Sequence, residues 1–465
     1  MSSLAGKKVL ILGLGQYPKG SGIAAALYAL EQGADVLVTD QKPEKDIADN
    51  VKRLKEYSNV KFRLGCHKLK DIEWADVIIR NPRVRPGSPE MQLATKLGKK
   101  IESDITLFLS QCPAKVIGVT GTRGKSTTST LIAKMLKNSD KKVWLGGNIL
   151  VSPLTFLNKV KKDDYVILEL SSWQTETLGM VSISPHIACI TNIMADHLNS
   201  YEGMEDYAEA KSMIFRFQTG IDTVILNGDD GFCRDWAREA PGMVKFFTKQ
   251  KEYASSAWLT AASLIFKDKK EREIVKKEEL KVHGEHMYIN MLAASLVASI
   301  AGAKRSAIRQ TLLQFKGLSY RQEVVARKKG IIFVNDTTAT TPDGTMAALR
   351  AFGSGSGTLR LILGGADKEL DFSNLGKELK KLKTDIAVLP GSAEKKIFEA
   401  LRQNQITFQK VESLNEAVKN LVKRSVPGDV VILSPGCASF GLFKNEFDRG
   451  DKFNALVKAR SVIRK

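Results

Sequence analysis

The segment between residues 114 and 137 constrains the fold more than any other part of the chain. It begins as the apolar run AKVIGVTG, passes through the glycine-containing turn TGTRGKS, and continues as the helical pattern KSTTSTLIAKMLK. A buried strand that enters a glycine turn and leaves it as a helix is the building unit of parallel α/β sheets. The segment therefore predicts an α/β protein with a parallel sheet around this turn.

The turn itself has the residue types of a phosphate-binding loop. Glycines let backbone N–H groups point towards phosphate oxygens, and the following helix presents the positive end of its dipole. A lysine there binds the terminal phosphates of a nucleoside triphosphate, and the next hydroxyl reaches Mg²⁺. The residues assigned to the nucleotide are Gly121, Thr122, Gly124, Lys125, Ser126 and Thr127. The strict spacing G-x-x-x-x-G-K-[ST] is not met, because residue 119 is Val, so a glycine-rich turn with a solvated lysine is the alternative.

Strand and helix patterns alternate on both sides of this segment. Near-continuous apolar runs such as KVLIL (8–12) and DVLVTD (35–40) are typical of strands buried on both faces of a parallel sheet. We predict an α/β fold with three domains. They are a Rossmann-like N-terminal domain (1–103), a central P-loop ATPase-type domain with a parallel sheet (104–317) and a Rossmann-like C-terminal domain (318–465).

Composition excludes several other classes of protein. Among the 465 residues, 43% are hydrophobic, and the N-terminus lacks the long apolar region of a secretory signal. No apolar run of about 18 residues occurs, so we expect a cytoplasmic protein without membrane insertion. The net charge of +20 comes from dispersed lysines and arginines that often stand beside acids. We therefore expect an enzyme with anionic substrates and no nucleic-acid partner.

Seven further motifs follow the turn in a fixed order. They are LELSSWQTE (168–176), TNIMADHLNSY (191–201), YAEAKSMIF (207–215), GEHMYIN (284–290), NDTTAT (335–340), LGGADKELDF (363–372) and SPGCASFGLFKNEFDRGDKF (434–453). Together with TGTRGKST they resemble the motifs of the Mur ligase family, the ATP-dependent amide-forming enzymes of peptidoglycan synthesis. The resemblance implies three α/β domains that bind a UDP-linked substrate, ATP and an amino acid.

Two of these motifs, LELSSWQ and SPGCAS…FKNEFDRG, resemble those of the family members that add glutamate. The resemblance implies that the substrates are UDP-N-acetylmuramoyl-L-alanine, D-glutamate and ATP, with Mg²⁺ at two sites. An amine does not displace oxygen from a carboxylate directly, because that oxygen is a poor leaving group. Phosphorylation by ATP gives an acyl phosphate, which the amine of glutamate attacks. We expect the protein to be a monomer.

The resemblance also assigns roles to single residues. Catalysis is assigned to Lys125, Glu169, His197 and Lys211. The implied magnesium ligands are Ser126, Glu169, His197 and Lys211, the last as a carbamate formed with CO₂. Further ATP contacts are assigned to Asn290, Arg321 and Asp336. Contacts to the UDP-linked substrate are assigned to Gly15, Gly22, Asp40 and Asn148, and contacts to glutamate to Thr340, Lys368 and Ser439.

Departures from the family pattern leave alternatives open. Thr338 stands where the family often has lysine, and Glu446-Phe447 replaces an aromatic residue followed by glutamate. A Mur-type ligase that adds L-glutamate or another amino acid is therefore an alternative. Folylpolyglutamate synthase is a further glutamate ligase of this architecture, but it lacks a comparable UDP-binding domain. An NAD-dependent oxidoreductase would account for the first domain only.

Overall fold

Parallel β-sheets flanked by helices organise the chain. The computed structural model describes residues 4–195, 201–252, 254–267, 270–282, 284–353, 355–367, 370–439 and 441–459. The chain divides into two units, Met1–Phe315 and Lys316–Lys465. The first unit contains two of the sheets, and the second unit contains the third.

The first sheet is parallel throughout its described strands, with the order β3-β2-β1-β4-β5. Its strands are β1 (Lys8–Leu12), β2 (Asp35–Asp40), β3 (Val60–Leu64), β4 (Val77–Arg80) and β5 (Lys100–Glu102). The helices of this region are α1 (Ser21–Glu31), α2 (Ala48–Leu54), α3 (Leu69–Trp74), α4 (Pro89–Lys96) and α5 (Asp104–Leu109), with a 3₁₀ helix at Glu44–Asp46. The strand β1 is buried from Val9 to Leu12, as a central parallel strand covered on both faces should be.

The second sheet has the order β14-β13-β12-β11-β10-β9-β6-β8-β7. Its strands are β6 (Lys115–Thr120), β7 (Val143–Gly147), β8 (Tyr165–Glu169), β9 (Ile187–Ile190), β10 (Thr223–Asn227), β11 (Met243–Thr248), β12 (Ser255–Leu259), β13 (Ser263–Lys267) and β14 (Glu271–Lys276). Its helices are α6 (Lys125–Lys137), α7 (Ser172–Val181), α8 (Met204–Ser212), α9 (Gly231–Trp236), α10 (Glu285–Ile300) and α11 (Arg305–Gln314), with 3₁₀ helices at Pro153–Lys159 and Lys277–Glu279. The strands β13 and β14 pair antiparallel at one edge, which the apolar runs did not predict.

The third sheet lies in the second unit and has the order β15-β16-β20-β17-β18-β19. Its strands are β15 (Glu323–Lys328), β16 (Ile331–Asn335), β17 (Leu359–Gly364), β18 (Thr384–Leu389), β19 (Phe408–Lys410) and β20 (Val430–Leu433). Its helices are α12 (Pro342–Phe352), α13 (Ser373–Leu379), α14 (Glu394–Gln403), α15 (Leu414–Lys423) and α16 (Glu446–Lys458). Among the described strands of this sheet, the β15–β16 pair is antiparallel and the other pairs are parallel.

Local side chains fix where the helices nearest the site begin. Ser171 starts α7 with a capping box, because its hydroxyl accepts from the N–H of Gln174 and its own N–H donates to the Gln174 side chain. Asn445 caps α16 by accepting from the N–H groups of Phe447 and Asp448. These bonds satisfy backbone donors that the helices leave unpaired. No helix in the described ranges combines the length and apolar character that crossing a membrane requires.

Candidate active site

The phosphate loop, residues 120–126, lies between β6 and α6 as the sequence predicts. Gly121 has φ +136° and Gly124 has φ +87°, a left-handed conformation that glycine adopts without strain. A Cβ on Gly124 would lie 2.1 Å from Oδ1 of Asn290, and one on Gly121 would lie 2.0 Å from Oγ1 of Thr191. Both glycines are therefore required by the backbone conformation and by the close packing of the loop.

Two lysine ammonium groups converge on this loop. Nζ of Lys125 donates to the carbonyl oxygens of Gly121 (2.9 Å) and Thr122 (3.1 Å). Nζ of Lys211, a side chain that is 1% exposed on α8, donates to the same Gly121 oxygen at 3.2 Å. Two ammonium groups at one loop give it a positive potential, which attracts negative charge. The arrangement is therefore suited to an anion such as the phosphate groups of a nucleotide.

The carboxylate of Glu169 supplies a hard oxygen ligand beside the loop. Glu169 ends β8, which pairs with β6, and its side chain is 2% exposed. Oε1 accepts from Nδ2 of Asn148 at 3.0 Å, whereas Oε2 is buried without a hydrogen-bond partner among the described residues. A buried carboxylate oxygen without a donor is costly unless a cation occupies the site, so this residue fits a magnesium ligand.

The other predicted metal ligands are placed unequally. Ser126 lies in the first turn of α6, within the phosphate loop. Lys211 lies at the loop through its contact with Gly121, and its ammonium is 4.7 Å from the ring centroid of Tyr207. His197 lies outside the described residues. Within the described ranges, no cluster of three or more histidine, cysteine or acidic side chains is assembled.

Three of the four residues assigned to the UDP-linked substrate line one cleft. This cleft measures about 1120 Å³, and its lining includes Gly15, Asp40 and Asn148. Both carboxylate oxygens of Asp40 accept backbone hydrogen bonds, from the N–H of Gly15 at 2.8 Å and from that of Lys42 at 2.8 Å. Gly22 has a different position, because a Cβ there would lie 2.2 Å from the carbonyl oxygen of Gly13. Gly22 thus lets α1 pack closely against the loop.

An arginine that carried no assigned role contacts two residues that line the same cleft, Trp173 and Glu176. Arg80, at the end of β4, is fully buried and donates to the carbonyl of Trp173 at 2.8 Å and to Oε2 of Glu176 at 3.3 Å. Burial raises the pKa of Glu176, and the guanidinium of Arg80 opposes that rise. The contact joins the first sheet to α7 of the second. A lone arginine at a strand end gives no sequence signal for such a pairing.

In the second unit, Asp336 follows β16 and is buried. It accepts from Oγ of Ser434 at 2.7 Å and from the N–H of Gln322 at 3.0 Å. Burial raises the pKa of Asp336 to about 7, opposed by these hydrogen bonds and by the charge of Arg321. Arg321 itself is exposed. Asp336 therefore changes protonation state near neutral pH.

Two of the three predicted glutamate residues of this unit lie in loops at the carboxyl ends of strands of the third sheet. Thr340 follows β16 and Ser439 follows β20, and these strands are neighbours. The N–H of Gly436 donates to the carbonyl of Ala339 at 2.9 Å, which joins the two loops directly. Lys368 lies outside the described residues.

Thr338, which replaces the usual lysine, has a local structural contact. Its Oγ1 donates to the carbonyl of Tyr320 at 2.9 Å, and its N–H donates to the same oxygen at 3.2 Å. These two bonds fix the loop after β16 against the turn before β15. The side chain is thus engaged with the backbone of its own unit.

Domain models of known families match the chain in the order of its sheets. The model "Mur ligase MurD-like, N-terminal domain" matches residues 7–103, and "Mur ligase middle domain" matches residues 119–298. The model "Mur ligase, glutamate ligase domain" matches residues 320–437. The fold and the loop therefore define a three-domain α/β ligase of the phosphate-loop type.

Relatives and solved structures agree with this class. The UDP-N-acetylmuramoylalanine--D-glutamate ligase of Roseiflexus sp. (strain RS-1) is 36% identical, with 98% of this chain and 99% of the relative covered. The enzyme of that name from Acetivibrio thermocellus is also 36% identical, covering 97% and 96%. The solved structure of UDP-N-acetylmuramate-alanine ligase MurC from Thermotoga maritima superimposes with TM-score 0.60 at 20% identity, over 97% of this chain and 99% of that one. The chain belongs to the Mur ligase family.

This membership settles the class of enzyme and leaves the choice of amino acid open. The three-domain α/β fold and the ligase class are confirmed, and an oxidoreductase is not supported. A crystal structure of MurF ligase from Thermotoga maritima in complex with ADP also matches, with TM-score 0.56 at 21% identity over 98% of both chains. The domain limits at 103/104 and 317/318 and the individual site residues stay predictions.

Proposed function

We propose that the protein joins D-glutamate to UDP-N-acetylmuramoyl-L-alanine at the expense of ATP, in the synthesis of peptidoglycan precursors. The observation that carries the proposal is the convergence of Lys125 and Lys211 on the carbonyl of Gly121, next to the buried carboxylate of Glu169. Relatives at 36% identity over nearly the whole chain bear the name of this enzyme.

The reaction proceeds in two steps. A carboxylate oxygen of the alanyl group attacks the γ-phosphorus of ATP, and the bond to the β-phosphate oxygen breaks with its electron pair leaving on ADP. The amine of glutamate then attacks the carbonyl carbon of the acyl phosphate. The tetrahedral intermediate expels inorganic phosphate and loses a proton, which leaves the amide. The protein contributes mainly positioning and charge neutralisation.

The described residues fit these tasks. Nζ of Lys125 and the N–H groups at the start of α6 would bind the phosphate groups of ATP. Mg²⁺ held by Ser126 and Glu169 would neutralise phosphate charge during transfer. The ammonium group of Lys211 would add positive charge at the loop, whereas its reaction with CO₂ would replace that charge with an anionic carbamate that serves as a further metal ligand. Asn290, whose Oδ1 contacts the loop at Gly124, would bind the adenine end. The cleft lined by Gly15, Asp40 and Asn148 would hold the UDP-linked substrate.

The second unit would recognise the amino acid. Thr340 and Ser439 offer hydroxyl groups on adjacent loops, which suits the carboxylates of glutamate. Thr338 cannot supply the positive charge of the lysine usual in the family. The choice between D- and L-glutamate therefore depends on other side chains of these loops, and an L-glutamate ligase is the alternative that experiment should separate.

The test is phosphate release by the purified full-length protein with ATP, Mg²⁺ and UDP-N-acetylmuramoyl-L-alanine, with D- or L-glutamate in parallel reactions. Release with D-glutamate alone, and none when the UDP-linked substrate is omitted, is the expected result. Preference for L-glutamate would keep the chemistry and overturn the specificity. Failure to release phosphate with either enantiomer, from folded protein that binds ATP, would overturn the proposed function.

A further inference from the structure

The second unit contains two buried arginines with opposite surroundings. Arg360, near the start of β17, forms ion pairs with Asp429 and Asp385. Arg449, on α16, is 0% exposed, and no carboxylate of the described residues lies within 4.0 Å of its guanidinium. A buried charge without a counter-ion is expensive, so its retention calls for a compensating role.

Among the described residues, backbone carbonyls and one hydroxyl bind the guanidinium of Arg449. Nε donates to Oγ1 of Thr337 at 3.0 Å, and Nη2 donates to the carbonyl of Thr337 at 2.8 Å. Nη1 and Nη2 each lie 3.3 Å from the carbonyl of Cys437, and Nη1 lies 3.4 Å from that of Ala438. One side chain thus connects the loop after β16 with the loop after β20.

Close packing holds α16 against the first of these loops. A Cβ on Gly450 would lie 2.6 Å from Cγ2 of Thr337, so the helix backbone approaches the loop more closely than any other residue would allow. Oγ1 of Thr337 also donates to the carbonyl of Glu446 at 2.8 Å. Burial lowers the pKa of Arg449 to about 10, which leaves the guanidinium charged at neutral pH.

The two connected loops carry the residues assigned to the amino acid. Thr340 lies three positions after Thr337, and Ser439 follows Ala438 directly. All five donor hydrogens of a guanidinium stand in a fixed planar fork, which makes arginine suited to set the distance between two backbone segments. The loops also receive a substrate with two carboxylates, for which a buried positive charge is favourable.

We propose that Arg449 is a positioning residue for the amino-acid substrate, which holds the loops of Thr337 and Cys437–Ala438 in register so that Thr340 and Ser439 bind the glutamate carboxylates. This inference rests on the proposed function, since it takes glutamate as the occupant of these loops. Arg449 does not touch the substrate in this role. Its effect should appear in the affinity for glutamate rather than in that for ATP.

The test compares matched substitutions of the two buried arginines in the full-length protein. Arg449→Lys should raise the KM for D-glutamate by about tenfold, and Arg449→Met by more, because the rigid fork is lost. The KM values for ATP and for UDP-N-acetylmuramoyl-L-alanine should change less than about twofold. Arg360→Lys makes the same chemical change near the start of β17, whereas Arg449 contacts loops that follow the ends of β16 and β20. It should lower the melting temperature without changing the KM for D-glutamate.

Thr337→Val provides a milder variant should the Arg449 substitutions prevent folding. It keeps the guanidinium of Arg449 and removes one hydroxyl, which accepts from Nε of Arg449 and donates to the carbonyl of Glu446. We expect a rise of about threefold in the KM for D-glutamate, on the order of one lost hydrogen bond to Arg449. An unchanged KM in this variant and in folded Arg449→Lys, or an equal rise in Arg360→Lys, would overturn the inference. Absence of glutamate-dependent phosphate release in the unmodified protein would overturn the proposed function as well, and that result is seen before any variant is made.

Discussion

The two glycine loops of the first unit have the same strand–turn–helix arrangement, but the side chains that contact them differ in charge. The N-terminal loop, residues 13–22, connects β1 to α1, and the phosphate loop, residues 120–126, connects β6 to α6. In the N-terminal loop the N–H of Gly15 already donates to the carboxylate of Asp40. In the phosphate loop, the N–H groups of Thr122 and Arg123 donate to neutral oxygens of Asn192, and two ammonium groups approach the carbonyl of Gly121.

Under the proposed function, this difference lets one supersecondary unit serve two kinds of ligand. A strand, a glycine turn and a helix always direct backbone N–H groups to the carboxyl edge of the sheet. In the first domain, the carboxylate of Asp40 accepts one of these N–H groups. Its negative charge lowers the attraction of the N-terminal loop for a highly charged phosphate chain. The lysines of the second domain raise that attraction. The side chains brought to the loop, rather than the loop itself, set which anion it favours.

The largest effect should come from removing the lysine of the phosphate loop. Lys125→Ala should lower the rate of phosphate release by about a thousandfold, because the loop loses the cation that neutralises the transferred phosphate. Melting temperature and circular dichroism should stay close to those of the unmodified protein. Lys137→Ala, at the exposed last turn of the same helix, is the control. Full activity of Lys125→Ala would remove the basis of the comparison.

A matched pair of glycine substitutions should separate the loops further. Gly124→Ala places a Cβ 2.1 Å from Asn290 at φ +87°, so we expect about a hundredfold loss in kcat/KM for ATP. Among the described residues, the Cβ of Gly15→Ala meets only Nδ2 of Asn81, at 3.6 Å, so left-handed strain alone should cost about 1 kcal/mol of stability. Steady-state kinetics and thermal unfolding measure both. Equal losses of ATP turnover would contradict the difference.

A smaller effect is expected from a comparable carboxylate of the second unit. Asp336, like Asp40, accepts a backbone N–H at a strand end, but burial raises its pKa to about 7. Its contribution to stability is complete below the pKa of the unfolded state, near 4, and is lost as the pH rises through 7. The slope should not exceed about 1.4 kcal/mol per pH unit. Melting temperatures of Asp336→Asn from pH 5 to 8 should therefore fall less steeply than those of the unmodified protein, and parallel curves would argue against the shift.

Much of the fold could be predicted because its signals are local. The helix predicted from KSTTSTLIAKMLK is α6, Lys125–Lys137, since the glycine turn and the apolar spacing both lie within a few residues. The antiparallel strands β13 and β14 were missed, because their sequence, SLIFKDKKEREIVK, is rich in lysine and glutamate that favour other states in isolation. Pairing along an existing edge decided their conformation.

The sequence by itself determined the order of the strand–loop–helix units, the glycines of the phosphate loop and the motifs that mark the family. Tertiary structure alone decided three hydrogen bonds between residues far apart in the sequence. Nζ of Lys211 donates to the carbonyl of Gly121, 90 positions away, and the N–H of Gly15 donates to the carboxylate of Asp40. The guanidinium of Arg449 donates to the carbonyl of Thr337. The physical reason is the distance along the sequence over which each interaction acts. Backbone conformation and apolar periodicity follow from neighbouring residues, whereas the partner of a buried charge depends on which strands lie side by side and on the water that their packing excludes.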